Sequence, residues 1–179
     1  MSCERVAVAL SGGVDSTVSA LLMQRAGFDV TGINLRMRAG DEPDEALVKF
    51  CRDAGIELVI RDCADAFTEK VLLPGAEEYI SGRTPNPCCE CNKVLKFHEL
   101  FAAADELGIQ TVVTGHYAKL VTADDGSVRL GSAADFRKDQ SYFLYRLERS
   151  LLDFIDFPVG SLQKAQVREM VAAENISVA

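Results

Sequence analysis

The stretch that decides the fold is Arg5-Val-Ala-Val-Ala-Leu-Ser-Gly-Gly-Val-Asp-Ser-Thr17. An apolar run from Val6 to Leu10 stops at two glycines, and apolar residues then recur at helical spacing until Gly27. A strand, a glycine turn and a helix in this order form an anion site, because backbone N–H groups point into the turn at the positive end of the helix. We expect Gly12 and Gly13 to adopt positive φ, which lets the backbone approach a ligand closely.

The turn lacks the lysine of a Walker loop and the G-x-G-x-x-G of a dinucleotide site. Asp15 instead sits among the expected phosphate contacts, which makes sense if a magnesium ion bridges its carboxylate to the phosphates. The alternative is an ordinary strand-to-helix turn with an Asp or Ser N-cap. The motif from Ser11 to Ser16 is more specific than that alternative, and it resembles the loop of enzymes that cleave ATP to AMP and pyrophosphate.

Composition sets the broad class of the protein. The chain has 179 residues, enough for one substantial core, and its mean hydropathy of +0.06 is that of a globular protein. No apolar run approaches the ~20 residues of a membrane span, so we expect no membrane partner. No signal peptide precedes the first strand, which favours a cytoplasmic location where the six cysteines stay reduced. The net charge of −8 argues against an extensive RNA-binding surface. Composition does not fix the oligomeric state.

Downstream, strand and helix patterns alternate. We predict strands at Val30–Leu35 and Glu57–Arg61, a helix over Asp44–Ala54, and a long helix from Asp62 to about Ile80 that a proline kinks or splits. Cys51 and Cys63 are expected to pack as small apolar residues. This alternation predicts an α/β fold with a doubly wound parallel sheet, whose ligands lie at the carboxyl ends of the strands. Asp125-Gly126 predicts a hairpin, and Lys164–Asn175 a final amphipathic helix.

A second stretch rich in chemistry is Gly82-Arg-Thr-Pro-Asn-Pro-Cys-Cys-Glu-Cys-Asn-Lys-Val-Leu-Lys-Phe97. Its prolines predict an extended segment, followed by a helix over Lys93–Leu107. Cys91 would then lie near a helix N-terminus beside lysines, and both features lower the pKa of a thiol. Three interpretations compete: a structural zinc site, thioredoxin-type exchange through Cys88 and Cys91, and a sulfur-handling thiol or iron–sulfur ligands facing a nucleotide site. The last is favoured, because no second ligand pair follows and an ATP loop precedes.

Two further segments belong to the expected site. His116 follows a glycine at the carboxyl end of a predicted strand, where the ligand belongs, so we favour a site role over a structural one. The stretch from Arg137 to Phe143 brings charged, amide and aromatic groups to the start of another helical segment, although a solvated helix start would have the same pattern.

Four of these stretches together resemble the amino-terminal half of the tRNA-specific 2-thiouridylases, within the pyrophosphate-loop superfamily of adenine-nucleotide α-hydrolase (HUP) folds. They are A-L-S-G-G-V-D-S from Ala9, the cysteine stretch from Gly82, T-G-H-Y-A from Thr114, and K-D-Q-S-Y-F-L from Lys138. The resemblance implies a pyrophosphate-loop ATP-binding domain over residues 1–145 and the start of a helical linker or central domain over 146–179. It also implies an ATP-dependent transferase that adenylates the wobble uridine of tRNA and then transfers sulfur with the help of cysteines.

The resemblance also assigns roles to individual residues. ATP and magnesium would be bound by the loop and two further residues: Ala9, Leu10, Ser11, Gly12, Gly13, Val14, Asp15, Ser16, Leu35 and Gly115. The catalytic group would comprise Cys91 as the nucleophilic thiol together with Cys88 and Asp15. The tRNA would contact Asn86, Pro87, Cys88, His116, Lys138, Asp139 and Gln140. A sulfur donor or relay protein is the expected second partner.

Two departures from the family pattern matter. Many relatives have Asp where this chain has Cys88, and the Cys form is linked in the family to a four-iron, four-sulfur cluster, for which Cys88 and Cys91 would be ligands. Full-length relatives also continue with a second functional cysteine and a β-rich domain that helps to hold tRNA. We therefore expect this chain to bind ATP without completing sulfur transfer alone. The alternatives are another pyrophosphate-loop adenylating enzyme, such as a small-molecule ligase, and a non-catalytic nucleotide- or metal-binding fragment.

Overall fold

The computed structural model describes residues 3–174 and residue 176. Seven strands are assigned in this range: β1 (Arg5–Ala9), β2 (Asp29–Arg36), β3 (Glu57–Asp62), β4 (Thr111–Val113), β5 (Ala118–Thr122), β6 (Val128–Ser132) and β7 (Ile155–Asp156). The α-helices are α1 (Val14–Arg25), α2 (Glu45–Asp53), α3 (Ala64–Phe67), α4 (Leu73–Ile80), α5 (Pro87–Cys91), α6 (Phe97–Glu106), α7 (Ser141–Leu144) and α8 (Lys164–Ala173). Two π-helical turns (Thr68–Leu72 and Asn92–Lys96) and two 3₁₀ turns (Arg149–Phe154 and Pro158–Ser161) complete the chain.

The centre of the fold is a five-stranded sheet in the order β3-β2-β1-β4-β7, and every pair in it is parallel. This confirms the predicted α/β class with a parallel sheet. The predicted hairpin is also present, because β5 and β6 pair antiparallel as a separate two-stranded sheet. None of the helices described has both the length and the hydropathy of a membrane-spanning segment.

Strand β1 is buried on both faces, which explains its continuous apolar sequence. Val6 and Val8 pack with residues of α1 and α2 on one face, whereas Ala7 packs with residues of α6 on the other. The sheet is therefore a middle layer with helices on both sides. The predicted packing of Cys51 is confirmed, since this residue belongs to the first of these clusters.

The long helix predicted from Asp62 to Ile80 is a continuous helical segment with an irregular middle. It begins at Ala64, changes to a π turn over Thr68–Leu72, and resumes as α4 with Pro74 in its first turn. Pro74 directly follows the π turn, in which the Leu73 N–H donates to the Thr68 carbonyl oxygen five residues back, so the residue without an N–H lies where the helical ladder is already irregular. The predicted interruption is confirmed, and it falls one turn before the proline.

The residues after 145 pack on the same sheet as those before it. Strand β7 forms the edge beside β4, and helix α8 packs on α1. The described part of α8 confirms its apolar face, with Val167 and Val171 buried, whereas the predicted end at Asn175 lies outside the described residues. The division at residue 145 remains a prediction.

Among the glycines of the described residues, Gly160 is expected to be the one that tolerates a side chain least. A Cβ atom at this position would lie 1.6 Å from the carbonyl oxygen of Ala118, which is backbone and cannot swing aside. We predict that Gly160→Ala lowers the free energy of unfolding by about 3 kcal/mol, the upper range for overpacking. Urea unfolding measures this loss.

Gly75→Ala is the matched control, because a Cβ at Gly75 in α4 would meet nothing within 4 Å. Alanine in a helix interior is expected to raise stability by roughly 0.5–1 kcal/mol there. Equal unfolding midpoints for the two variants would contradict the packing described for Gly160.

Candidate functional site

The turn between β1 and α1 has the form of an anion-binding loop. Gly12 has a φ of +83°, as predicted, and a residue with a side chain would be strained there. The same prediction is wrong for Gly13, whose φ of −84° and ψ of 160° are extended backbone. Gly13 is the N-cap of α1, a position that takes extended dihedrals in helices generally.

The start of α1 has no side-chain cap, so the alternative of an Asp- or Ser-capped turn does not describe it. The hydroxyls of Ser16 and Thr17 donate to the carbonyl oxygen of Gly13, at 2.9 and 3.1 Å, instead of accepting from the first helical N–H groups. The hydroxyls of Ser11 and Ser16 lie 3.2 Å apart across the turn. Ser11 and Ser16 thus place their hydroxyl groups at the uncapped start of α1, where a helix N-terminus favours a phosphate group.

A cleft of about 390 Å³ opens above this loop at the carboxyl ends of β1, β2 and β4. This is the edge of a parallel sheet where ligands are expected. Most residues assigned to ATP line it, namely Ala9, Leu10, Ser11, Gly13, Asp15, Ser16, Leu35 and Gly115, whereas Gly12 and Val14 are not in its lining. His116 and Gln140 line it as well, and so do Met37 and Lys96, which the sequence did not single out for the nucleotide site.

Asp15 makes contacts that the sequence did not reveal. Its Oδ1 atom accepts a hydrogen bond from the Tyr117 hydroxyl at 2.9 Å and lies 2.5 Å from the ammonium of Lys164. The same ammonium lies 5.7 Å from the centre of the Tyr117 ring. Burial and the hydrogen bond to the Asp15 carboxylate raise the pKa of Tyr117, so its hydroxyl remains a donor at neutral pH.

One sequence signal pointed to this ion pair. Lys164 is the first residue of α8, where a cation is unfavourable because the helix N-terminus is itself partly positive. A nearby anion offsets this unfavourable interaction, and Asp15 is that anion. Which carboxylate it would reach could not be inferred, because the two residues are 149 positions apart.

Tyr117 and His116 are held by the segment that follows the hairpin. Gln140 is docked on the loop after β4 by two hydrogen bonds with the backbone of Tyr117, at 2.7 and 3.0 Å. Asp139 accepts hydrogen bonds from the Ala133 N–H and the Ser141 hydroxyl, and these lower its pKa although burial acts in the opposite direction. The segment thus positions the cleft wall.

His116 is enclosed between aromatic rings and is neutral. Its ring stacks on Phe97 at 5.8 Å, and its Nδ1 atom lies 2.8 Å from the hydroxyl of Thr114. Burial, aided by the positive charge of Lys96, lowers the pKa of His116 to about 3. A neutral imidazole offers the cleft a hydrogen bond without adding charge.

The low pKa of His116 gives a prediction for pH dependence. The unfolded chain binds a proton at this residue near pH ~6.5, whereas the folded chain does so near pH 3. Between these values the unfolded state holds more protons than the folded state. The stability that neutral His116 contributes is therefore complete above the unfolded pKa and is lost as pH falls through this window. NMR titration of the imidazole signals, assigned with the His98→Gln variant, is expected to show His116 neutral at pH ~5. Movement of its signals near pH ~6.5 would contradict the description.

The helix that carries the cysteines starts earlier than predicted. It begins at Pro87, six residues before the predicted start at Lys93, because the Oδ1 atom of Asn86 accepts a hydrogen bond from the Cys89 N–H at 3.2 Å. An asparagine cap followed by proline at the first helical position is a known start signal that the sequence prediction did not use. The cysteines therefore lie within the helix and not ahead of it.

The expected activation of Cys91 is wrong for this conformation. Cys91 is the last residue of α5, is only 8% exposed and packs with Val71 and Leu95. Burial raises its pKa, with a smaller contribution from Cys88, and the positive charge of Lys96 only partly offsets this. At neutral pH the group is a protonated thiol and does not line the cleft, since desolvation outweighs the neighbouring lysine.

Cys91 nevertheless belongs to a cluster that packs against part of the cleft wall. Leu35 and Met37, which line the cleft, also pack against the cluster that contains Cys91. Lys96 lines the cleft from the π turn that follows Cys91. The cluster that contains Cys91 therefore shares Leu35 and Met37 with the cleft, and π turns such as the one after Cys91 are frequent at functional sites.

The other cysteines follow the expected pattern. All six are free, and Cys63 is buried in the same cluster as Cys91, where burial raises its pKa to about 11. Cys88 is exposed. Among the described residues, no three His, Cys, Asp or Glu side chains are grouped so that they could hold a metal ion.

Comparison with known proteins shows which family and which relatives the chain resembles. The family model described as tRNA methyl transferase HUP domain matches residues 4–179. The chain is 41% identical over 184 residues to the tRNA-specific 2-thiouridylase MnmA of Acidithiobacillus ferrooxidans, covering 100% of this chain and 52% of that protein. It is 42% identical over 173 residues to the protein of the same name from Syntrophotalea carbinolica, covering 92% of this chain and 49% of that protein.

A solved 4-thiouridine synthetase–RNA complex with bound ATP has the same fold. It superposes with a TM-score of 0.64 at 16% identity, over 97% of this chain and 41% of that chain. The chain spans about half the length of the curated relatives that it matches.

Proposed function

The chain belongs to the tRNA methyl transferase HUP domain family, and from this premise we propose that it is the ATP-binding part of a tRNA uridine 2-sulfurtransferase. The observation that carries the proposal is the common wall of the anion cleft and the cysteine cluster, formed by Leu35 and Met37. A nucleotide cleft that shares wall residues with a cysteine cluster suits a reaction in which sulfur replaces an activated oxygen. Residues 1–145 would form the nucleotide-binding domain, and residues 146–179 would begin the next.

In the first step, the loop from Ala9 to Ser16 binds the triphosphate through backbone N–H groups and hydroxyls. Magnesium fits this site, because Asp15 lines the cleft and both contacts described for its carboxylate use Oδ1, which would leave the other oxygen as a metal ligand. A bound magnesium would stabilise negative charge on the departing pyrophosphate. The O2 atom of the target uridine attacks the α-phosphorus of ATP, forming an O–P bond and releasing pyrophosphate.

In the second step, the terminal sulfur of a persulfide attacks carbon 2, and AMP leaves with the former uridine oxygen. The Cys91 thiolate then attacks the inner sulfur of the persulfide, which leaves the thiouridine and a disulfide. Because Cys91 is buried and protonated, we propose that binding of tRNA opens the π turn beside it before this step. A sulfur donor protein would supply the persulfide.

The remaining assigned residues define where tRNA would bind. Asn86, Pro87 and Cys88 would lie beside the target base, and His116, Lys138, Asp139 and Gln140 would face the neighbouring nucleotides. The six free cysteines suit a reducing, cytoplasmic location. Cys88 and Cys91 would supply two thiolates to a four-iron, four-sulfur cluster, and no third ligand is grouped with them among the described residues.

Pyrophosphate release tests the proposal. The chain is incubated with ATP and magnesium, and release is measured with unmodified tRNA, with the same tRNA already thiolated at the target base, and with small carboxylic acids. Pyrophosphate release is expected to increase with unmodified tRNA and with neither thiolated tRNA nor the small acids. Stimulation by a small acid would instead identify a small-molecule ligase, and ATP binding without any release would identify a nucleotide-binding fragment.

A further inference from the structure

Two exposed tyrosines lie beside the helix that carries the cysteines. Tyr142 and Tyr145 are each 64% exposed, and their rings stack with centroids 5.6 Å apart and an angle of 23° between the planes. Large aromatic side chains usually bury their faces, so a stacked and solvent-exposed pair calls for a partner. We call these two side chains the tyrosine platform.

The tyrosine platform is fixed relative to the cysteines. The Cys89 thiol donates to the carbonyl oxygen of Tyr142 at 3.7 Å, and the Asn92 amide donates to the carbonyl oxygen of Phe143 at 3.0 Å. Arg146 forms an ion pair with Glu90. Three contacts therefore fix the segment that bears the platform against the segment that bears Cys91.

The tyrosine platform borders a hollow of about 590 Å³, and no residue that lines this hollow also lines the ATP cleft. Asn86 and Pro87 line the hollow. Its charged lining is mixed, because Lys70 and Arg146 stand with two glutamates, of which Glu90 pairs with Arg146. The amide nitrogen of Asn86 is a donor that its helix cap does not use, since the cap uses the oxygen. Flat ring faces, a planar guanidinium and an amide donor are the groups that recognise an unpaired nucleobase.

We propose that the tyrosine platform stacks a base of the tRNA loop that neighbours the target uridine, so that the target itself is directed towards Cys91. The proposal rests on the proposed function, because an RNA that presents one uridine to α5 must carry its adjacent nucleotides across this surface. Aromatic stacking does not depend on base identity, so the platform holds the strand without selecting its sequence.

Binding of an RNA hairpin with the target uridine in its loop tests the proposal. Fluorescence anisotropy is measured with the wild-type chain and with the Tyr142→Leu and Tyr145→Leu variants. Loss of one stacked base is expected to weaken binding about tenfold. Tyr142→Phe and Tyr145→Phe keep the ring and are expected to bind within about twofold of the wild type. Tyr79→Leu is the matched control, because Tyr79 is 73% exposed on α4 but does not line the hollow.

A second hairpin, abasic at the nucleotide next to the uridine, makes the test specific. The wild type is expected to bind the abasic hairpin about tenfold more weakly than the intact hairpin. The leucine variants are expected to bind the two hairpins equally well. If the leucine variants bind the intact hairpin as tightly as the wild type does, the stacking role of the tyrosine platform is overturned while the proposed function stands. Absence of hairpin binding by the wild type would count against the RNA-directed function as well. ATP affinity is expected to stay unchanged in all variants.

Discussion

Cys91→Ser is expected to abolish sulfur transfer to tRNA, while ATP-driven pyrophosphate release continues within about twofold of the wild-type rate. The hydroxyl cannot break a sulfur–sulfur bond, whereas the ATP cleft is lined by other residues. Thiouridine is quantified by mass spectrometry after incubation with ATP, magnesium, tRNA and a persulfide donor. The carboxyl-terminal half of the Acidithiobacillus relative is added as a separate polypeptide, because the chain matches only 52% of that protein.

Cys63→Ala is the matched control for this variant. Cys63 is as buried as Cys91 and belongs to the same cluster, but it has no part in the proposed reaction. Thiolation is expected to persist in Cys63→Ala. Accumulation of thiouridine with Cys91→Ser, or its loss in both variants with the fold intact, would show that Cys91 is not the reacting thiol.

Lys164→Met is expected to weaken ATP binding about 100-fold when magnesium is absent. The substitution leaves the Asp15 carboxylate without its ammonium beside the site of the triphosphate, and removing one partner of a close charge pair typically costs a factor of this size. Adding Asp15→Asn to Lys164→Met removes the stranded charge and is expected to recover most of the affinity. With magnesium present, the double variant, which lacks the Asp15 carboxylate, is expected to lose the gain in ATP affinity that the metal gives the wild type.

Arg25→Met is the control for that series. Arg25 forms an ion pair with Glu174, which also connects α1 to the end of α8 but lies at the surface away from the cleft. Exposed pairs contribute little, so ATP affinity is expected to remain within about twofold. Isothermal titration calorimetry measures all of these affinities. Equal losses in Arg25→Met and Lys164→Met would mean that the position of α8, and not the charge at Asp15, determines ATP binding.

Local patterns were sufficient to predict most of the fold. Apolar runs bounded by glycines gave the strands from Val30 and Glu57, and helical spacing gave α1 and α8. Each of these signals lies within a single helix or strand, so it does not depend on which distant residues pack against that element. The start of α5 at Pro87 was also readable from an asparagine–proline pair, but the two prolines that flank Asn86 were interpreted as the sign of an extended segment.

The site was less predictable, since its chemistry depends on packing between distant segments. Proximity of lysines suggested a reactive thiolate at Cys91, whereas burial against residues such as Val71 reverses the direction of its pKa shift. Likewise, the pairing of Asp15 with Lys164 joins the beginning of the chain to its last helix. No local pattern encodes how far a side chain is removed from water or which distant charge it meets.

The transfer of the uridine oxygen to AMP tests the central claim most directly. The target uridine of tRNA is labelled with ¹⁸O at O2, and the AMP formed with ATP, magnesium and the chain is analysed by mass spectrometry. If the loop from Ala9 to Ser16 holds ATP for attack by the base, the label is expected to appear in AMP, whether sulfur or water then attacks carbon 2. AMP that carries only solvent oxygen, with the label retained in tRNA, would contradict the account.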